Sequence, residues 1–169
     1  MSAYAATVVG GSTSQFVSDG SQINTIVGVT YRCHVFEPAG SGTKSITFSR
    51  GGNIDLLLLA AGGQGGGQYA NSGAGYGGGG GGAGGLIIQY GRGITNQTYT
   101  VVAGDRVPVT YSSGVSPNGE DSTFDGLTAL GGGGGGNGHN GGSGNAPSQS
   151  PPQGTNGGRG QSGGGGGSQ

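Results

Sequence analysis

The chain has no tryptophan, a single cysteine, and only six basic and seven acidic residues in a length of 169. One cysteine cannot form an internal disulfide, so no crosslink braces the fold. Six scattered basic side chains, balanced to a net charge of −1, supply no patch for electrostatic nucleic-acid binding. Residues 1–11 lack the basic start and long apolar stretch of a signal peptide. The longest apolar run, Leu56 to Ala61, is far too short to cross a bilayer. These absences point to a chain made in a cytoplasm and soluble there, with no membrane insertion.

Large aliphatic side chains are also scarce. Leu, Ile, Val and Phe total 29 residues, which is about 17% and below the ~20% where an ordinary apolar core becomes doubtful. Disorder from low hydrophobicity goes with a high net charge, and here only 8% of residues are charged. Collagen is excluded because glycine does not recur at every third position.

What the chain does have is glycine, and it is unevenly placed. Of the 48 glycines, eight precede residue 62, so 40 fall in the last 108 residues. They form dense runs at 77–82, 131–136 and 163–167.

Residues 1–61 read as β structure. Along Thr30 to Phe36, Tyr31, Cys33 and Val35 share one face, with Arg32 and His34 on the other; Ile46 and Phe48 alternate with Ser45 and Thr47. This period of two marks half-buried strands. Ile54 to Ala61 is apolar on both faces from Leu56 onward, which predicts a strand buried on both sides. Further strands are expected at Leu86 to Tyr90, Gln97 to Ala103, Val107 to Tyr111, Ser122 to Phe124 and Leu127 to Leu130. No window carries a helical period. The fold class is all-β.

The glycine blocks admit two readings. One is flexible linker. The other is a packed lattice of polyproline-II-like segments. Such a segment makes no internal hydrogen bonds, so every N–H and C=O must find a neighbouring segment. Four blocks are candidates to lie side by side: 62–67, 73–85, 131–144 and 154–167.

Chemistry-bearing motifs are weak. Gly73 to Gly78 fits a dinucleotide loop pattern only by its glycine content, with no βαβ unit around it. Gly40 to Ser45 resembles a phosphate loop, but Thr43 stands where glycine must precede the lysine and a strand follows. Cys33 and His34 are neighbours in a strand, so they face opposite ways and cannot act as nucleophile and base. Cys33 is expected as a small core residue. Asp55 reads as a hydrogen-bonded edge residue, with no second carboxylate placed to pair with it. Glu120, Asp121 and Asp125 fit a turn and not a calcium loop. His139 has no partner histidine at metal spacing. No catalytic, metal or cofactor site is expected.

The order of features resembles a glycine-rich domain common in virion structural proteins and tail-fibre (adhesin) proteins of bacteriophages. The resemblance runs through Val35-Phe36, Gly40 to Thr43, Ile46 to Phe48, and Gly52 to Gly63. It continues in Gly77 to Leu86, Thr98 to Gly104, Ser122 to Phe124, and Leu127 to Gly132. The departures are Val107 to Tyr111, where the family usually has a glycine-rich turn, and an early end at Gln169.

The resemblance implies a small β-sandwich with a polyglycine-II-like bundle, carried on a virus particle. On this reading residues 1–30 are an N-terminal docking segment to other virion proteins. Residues 31–130 are the sandwich with its glycine-rich insertion at 62–85, and 131–169 is a glycine-rich C-terminal region packing on that block. The expected role is a non-enzymatic phage virion protein, a tail-fibre or adhesin component contacting the host surface. A capsid decoration protein, and a disordered glycine-rich matrix or RNA-associated protein, are the alternatives. Candidate contacts to a host cell-surface receptor are Tyr69, Tyr76, Asn118, Asn137, His139 and Asn140, on polar tips. Residues 145–153 read as an exposed connecting loop. A homo-oligomer, with a trimer as the common state of fibres, is expected without any heptad to encode it.

Overall fold

A computed structural model describes residues 5–22, 24–38, 43–66, 78–106 and 116–136. No helix occurs among them, and the all-β class holds. The expected strand at 107–111, the loop at 145–153 and the block at 154–167 lie outside the described residues. Two compact units form: Met1–Leu56 with Ile88–Val102, and Leu57–Ile87 with Ala103–Gln169.

In the first unit, β1 (Ala6–Val9) and β4 (Lys44–Phe48) pair antiparallel, with Ala6 opposite Phe48. On its other edge β4 pairs antiparallel with β7 (Thr98–Val102), placing Ile46 opposite Tyr99. The period of two seen in the sequence buries Ile46, Phe48, Tyr99 and Val101 together with Ile94. Phe48 meets Tyr99 edge to face at 5.8 Å, a geometry aromatic quadrupoles favour. The Tyr99 hydroxyl accepts the Thr95 N–H at 2.8 Å.

A separate ribbon joins β2 (Ser12–Val17) to β3 (Thr30–Val35). The first 30 residues thus contribute two strands. Phe16 stacks on Tyr31 at 5.6 Å and half-buries it. Cys33, on the same face but opposite Ser14, is exposed. The expectation of a core cysteine is corrected: alternation put Cys33 on the face of Tyr31, but that stretch of the ribbon leaves it open to solvent.

The third pairing joins β5 (Gly52–Leu59) to β6 (Leu86–Ile94), the latter four residues longer than the sequence predicts. Leu58 is buried, but Leu57 and Leu59 are 64% and 60% exposed. The strand is therefore not buried on both sides. A leucine run fixes the strand; it does not specify what lies over the second face.

In the second unit β8 (Ser122–Phe124) and β9 (Leu127–Ala129) form a hairpin. Its two-residue turn is Asp125-Gly126, with φ of 45° and 75°, the combination that matches strand twist in tight hairpins. Phe124, Ala129, Leu130, Leu58 and Ala60 are buried. The other buried residues described in this unit are glycines, with Ser116 and Ser122.

Candidate functional site

Four segments of the second unit lie side by side: residues 60–66, 78–85, 116–120 and 130–136. Ala60, Gly63 and Gly66 donate backbone N–H bonds to the carbonyls of Gly85, Gly82 and Gly79, at 2.9, 2.8 and 2.7 Å. The same three acceptor residues send their own N–H groups to Leu130, Gly133 and Gly136, at 2.7, 2.7 and 2.8 Å. Each partnership recurs every third residue, the repeat of a polyglycine-II helix with three residues per turn.

A second side of 60–66 follows the same rule. Ala61 and Gln64 donate to Glu120 and Pro117 at 3.2 and 3.1 Å, and their carbonyls accept from Gly132 and Gly135 at 2.9 and 2.7 Å. Ser116 and Gly119 donate to Gly135 and Gly132 at 2.8 and 2.9 Å. The numbering shows 130–136 running parallel to 60–66 and antiparallel to 78–85 and 116–119. The linker reading fails for these residues; the lattice reading describes them.

Residues 131–136 are six consecutive buried glycines. They stand where a conventional domain has aliphatic side chains. Their burial is tolerable because the polar groups bonded to neighbouring segments do not lose hydrogen bonding on leaving water. A Cβ built on Gly131, Gly132, Gly134 or Gly135 would overlap a carbonyl oxygen of Gly119, Gly82, Ser116 or Gly79. Only a residue without a side chain permits this approach.

On one side of that central segment, side chains accept from its backbone. Asn118 Oδ1 accepts the Gly134 N–H at 2.9 Å, and Asp121 Oδ1 accepts the Gly131 N–H at 2.7 Å. Donors and acceptors are each three residues apart, so the side chains continue the lattice period. Nearby, Ser122 Oγ donates to the Leu59 carbonyl at 2.7 Å and accepts the Gly104 N–H at 2.9 Å.

Residues 116–120, which carry Asn118 of the expected polar tips, are thus a lattice member. The signal that could have found them is the Asn118–Asp121 spacing; glycine content hides it, since only Gly119 there is glycine. Gln64 is the one long side chain in 60–66, and its Oε1 is buried without a partner among the described residues.

Of the candidate contacts, Asn118 is exposed while bonded to Gly134. Tyr69, Tyr76, Asn137, His139 and Asn140 lie outside the described residues. In the first unit Asp55 is the edge residue expected, accepting from Asn24 Nδ2 at 2.9 Å and the Gly91 N–H at 2.8 Å. His34 sits opposite Thr13, with Nδ1 to Oγ1 at 2.8 Å. Burial, and then the charge of Arg32, hold its imidazole below the ordinary value of 6.5. Among the described residues no group of three or more His, Cys, Asp or Glu could hold a metal ion. No helix there is long and apolar enough to cross a membrane.

A family model described as a glycine-rich domain matches residues 38–169. The chain belongs to that glycine-rich domain family. The match takes in every segment of the lattice. No curated protein and no solved structure matches the chain.

Proposed function

We propose that this glycine-rich domain is a non-enzymatic structural protein of a bacteriophage particle, a tail-fibre or adhesin component that contacts the host surface. The observation that carries the reading is the period-three lattice. Backbone bonded to neighbours on several sides makes a stiff element without a large apolar core, suited to holding short polar loops away from a particle. The sequence resemblance to phage virion and tail-fibre domains supplies the setting. Residues 1–30 attach the chain to other virion proteins. The receptor contacts assigned to it are Tyr69, Tyr76, Asn118, Asn137, His139 and Asn140, and it works as a homo-oligomer, a trimer in the fibre form.

Immunogold labelling of intact particles tests this. Label at the tail supports it; label spread over the shell replaces it with a capsid decoration role. Absence of the chain from purified particles sinks both.

A further inference from the structure

Segment 116–120 reads Ser-Pro-Asn-Gly-Glu, and its Asn118-Gly119 step can react with itself. Asparagine is a thermolabile residue, and a following glycine leaves its own backbone nitrogen unhindered because it has no Cβ. That nitrogen, once it loses its proton, attacks Cγ of the asparagine side chain. The new N–C bond closes a cyclic imide, and the side-chain nitrogen leaves as ammonia. Water that cleaves the new bond leaves aspartate. Water that cleaves the old peptide bond leaves isoaspartate, with the main chain now running through Cγ.

In the folded chain both reacting groups are held, and by the same central segment. The Gly119 N–H donates to the Gly132 carbonyl at 2.9 Å, so the proton that must leave is bonded to a buried residue. Asn118 Oδ1 accepts the Gly134 N–H at 2.9 Å, which fixes the side chain that would be attacked. The Ser116 N–H is tied to the Gly135 carbonyl at 2.8 Å, so the pair is anchored ahead of Asn118 as well. Asn118 itself is exposed. Hydrogen bonding, and not exclusion of water, is what stands in the way.

Loss of the Gly119 amide proton is also the first step of its hydrogen exchange. One opening equilibrium therefore governs both reactions. Their two products differ in consequence. Aspartate keeps an oxygen where Asn118 accepts from Gly134. Isoaspartate moves that carbonyl into the main chain and lengthens the chain by a methylene between Ser116 and Gly119. Their bonds to Gly135 and Gly132 need the unaltered three-residue period. Gly134 is buried, so its N–H would be left without an acceptor.

We propose that Asn118 is a latent self-modification site. The lattice keeps the Asn118-Gly119 pair unreactive, and an opening long enough for ring closure converts residue 118 to isoaspartate, which bars 116–120 from the lattice thereafter. Water is the one co-reactant. The site makes a lasting opening of this edge irreversible, whatever the chain does on a particle.

The test ages the full chain at mildly alkaline pH in a series of urea concentrations spanning its unfolding midpoint. Asn-Gly also occurs at 137, 140 and 156, outside the described residues, so peptide mapping must resolve residue 118 and tell isoaspartate from aspartate there. Amide exchange at Gly119 is read on the same samples, and a synthetic peptide of residues 116–121 gives the unprotected rates. Reaction at 118 in the native chain should be slower than in the peptide by about ten-fold or more, as for an amide released only by opening. It should rise with urea in step with Gly119 exchange. Reaction at the peptide rate, or a rise in one process without the other, overturns the gate.

Chain aged in urea is then returned to buffer, and the refolded and unrefolded fractions are separated by size and mapped again. Isoaspartate at 118 is expected only in the unrefolded fraction, with aspartate at 118 in both. Isoaspartate shared equally between them overturns its exclusion from the lattice. Asn118→Asp should refold as the parent does; its failure would assign the loss to charge and overturn the role given to chain geometry.

Discussion

Asn118 accepts the backbone N–H of Gly134 at 2.9 Å, so a side chain takes the acceptor place that backbone carbonyls hold elsewhere in the lattice. Gly134 is buried, and removing its acceptor strands a donor away from water. Asn118→Ala should destabilise the fold by about 1–3 kcal/mol, the penalty of an unsatisfied buried group. Asn118→Asp keeps an acceptor oxygen and should lose much less. Urea midpoints of the two variants check this, and equal losses would show that the bond is not the cause.

Alanine should reveal the lattice period even at exposed glycines. Gly81 and Gly62 are both exposed, yet a Cβ at 81 overlaps the Gly63 carbonyl, whereas at 62 the nearest atom is 3.4 Å away. Gly84 behaves as Gly81 does, against Ala60, and Gly65 as Gly62, with 3.7 Å to its nearest atom. Gly81→Ala and Gly84→Ala should each cost at least about 1–3 kcal/mol by overpacking. Gly62→Ala and Gly65→Ala should be neutral or stabilise by up to ~1 kcal/mol, because alanine restricts the unfolded chain. Thermal unfolding of the four variants decides; a uniform response would refute the period.

Hydrogen exchange gives an independent reading of the same bonds. The amides of Gly63, Gly82, Gly132 and Gly135 donate to backbone carbonyls within 2.9 Å and should exchange only on opening of the unit. Exchange at the rate of a free peptide would show that the segments do not associate in solution.

Stability should fall in mildly acidic solution because of His34. Burial first, and Arg32 second, hold its imidazole below 6.5 in the folded chain. As pH drops through about 6.5 the unfolded chain gains a proton that the folded chain does not. Stability contributed by the neutral ring is therefore complete above that pH and is lost as pH falls toward the depressed folded value. His34→Gln should flatten the slope of unfolding free energy against pH over this window. A slope unaltered by His34→Gln assigns it to other groups.

Asp55 links two backbone irregularities of the first unit, Asn24 at φ 58° and Gly91 at φ 65°. Asp55→Ala should lower stability by about 1 kcal/mol, a typical net value for hydrogen bonds near solvent. It should also loosen the loop that carries Ile26. Faster amide exchange at Gly28 in that variant measures the second effect.

Much of the strand content was legible in the residues themselves. The alternation at Ile46 and Phe48 fixed both the strand and its buried face, since a period of two leaves no other assignment. Asp125-Gly126 marks its hairpin by the one backbone shape such a pair favours. The partition of Leu56 to Leu59 was not legible: four leucines in a row look alike until the pairing of β5 with β6 decides which two face outward. Cys33 misled for a related reason, since alternation gives its face and not what covers it.

Composition alone determined that this chain could not build a large apolar interior, and that any order in its glycine tracts had to come from bonds between segments. Which segments meet, and at which third residue, was settled only by the tertiary arrangement. Bare glycine carries no side-chain pattern from which a partner can be read. Hence the stretch 116–120, with Gly119 as its one glycine, entered the lattice unannounced, through its backbone and the spacing of Asn118 and Asp121.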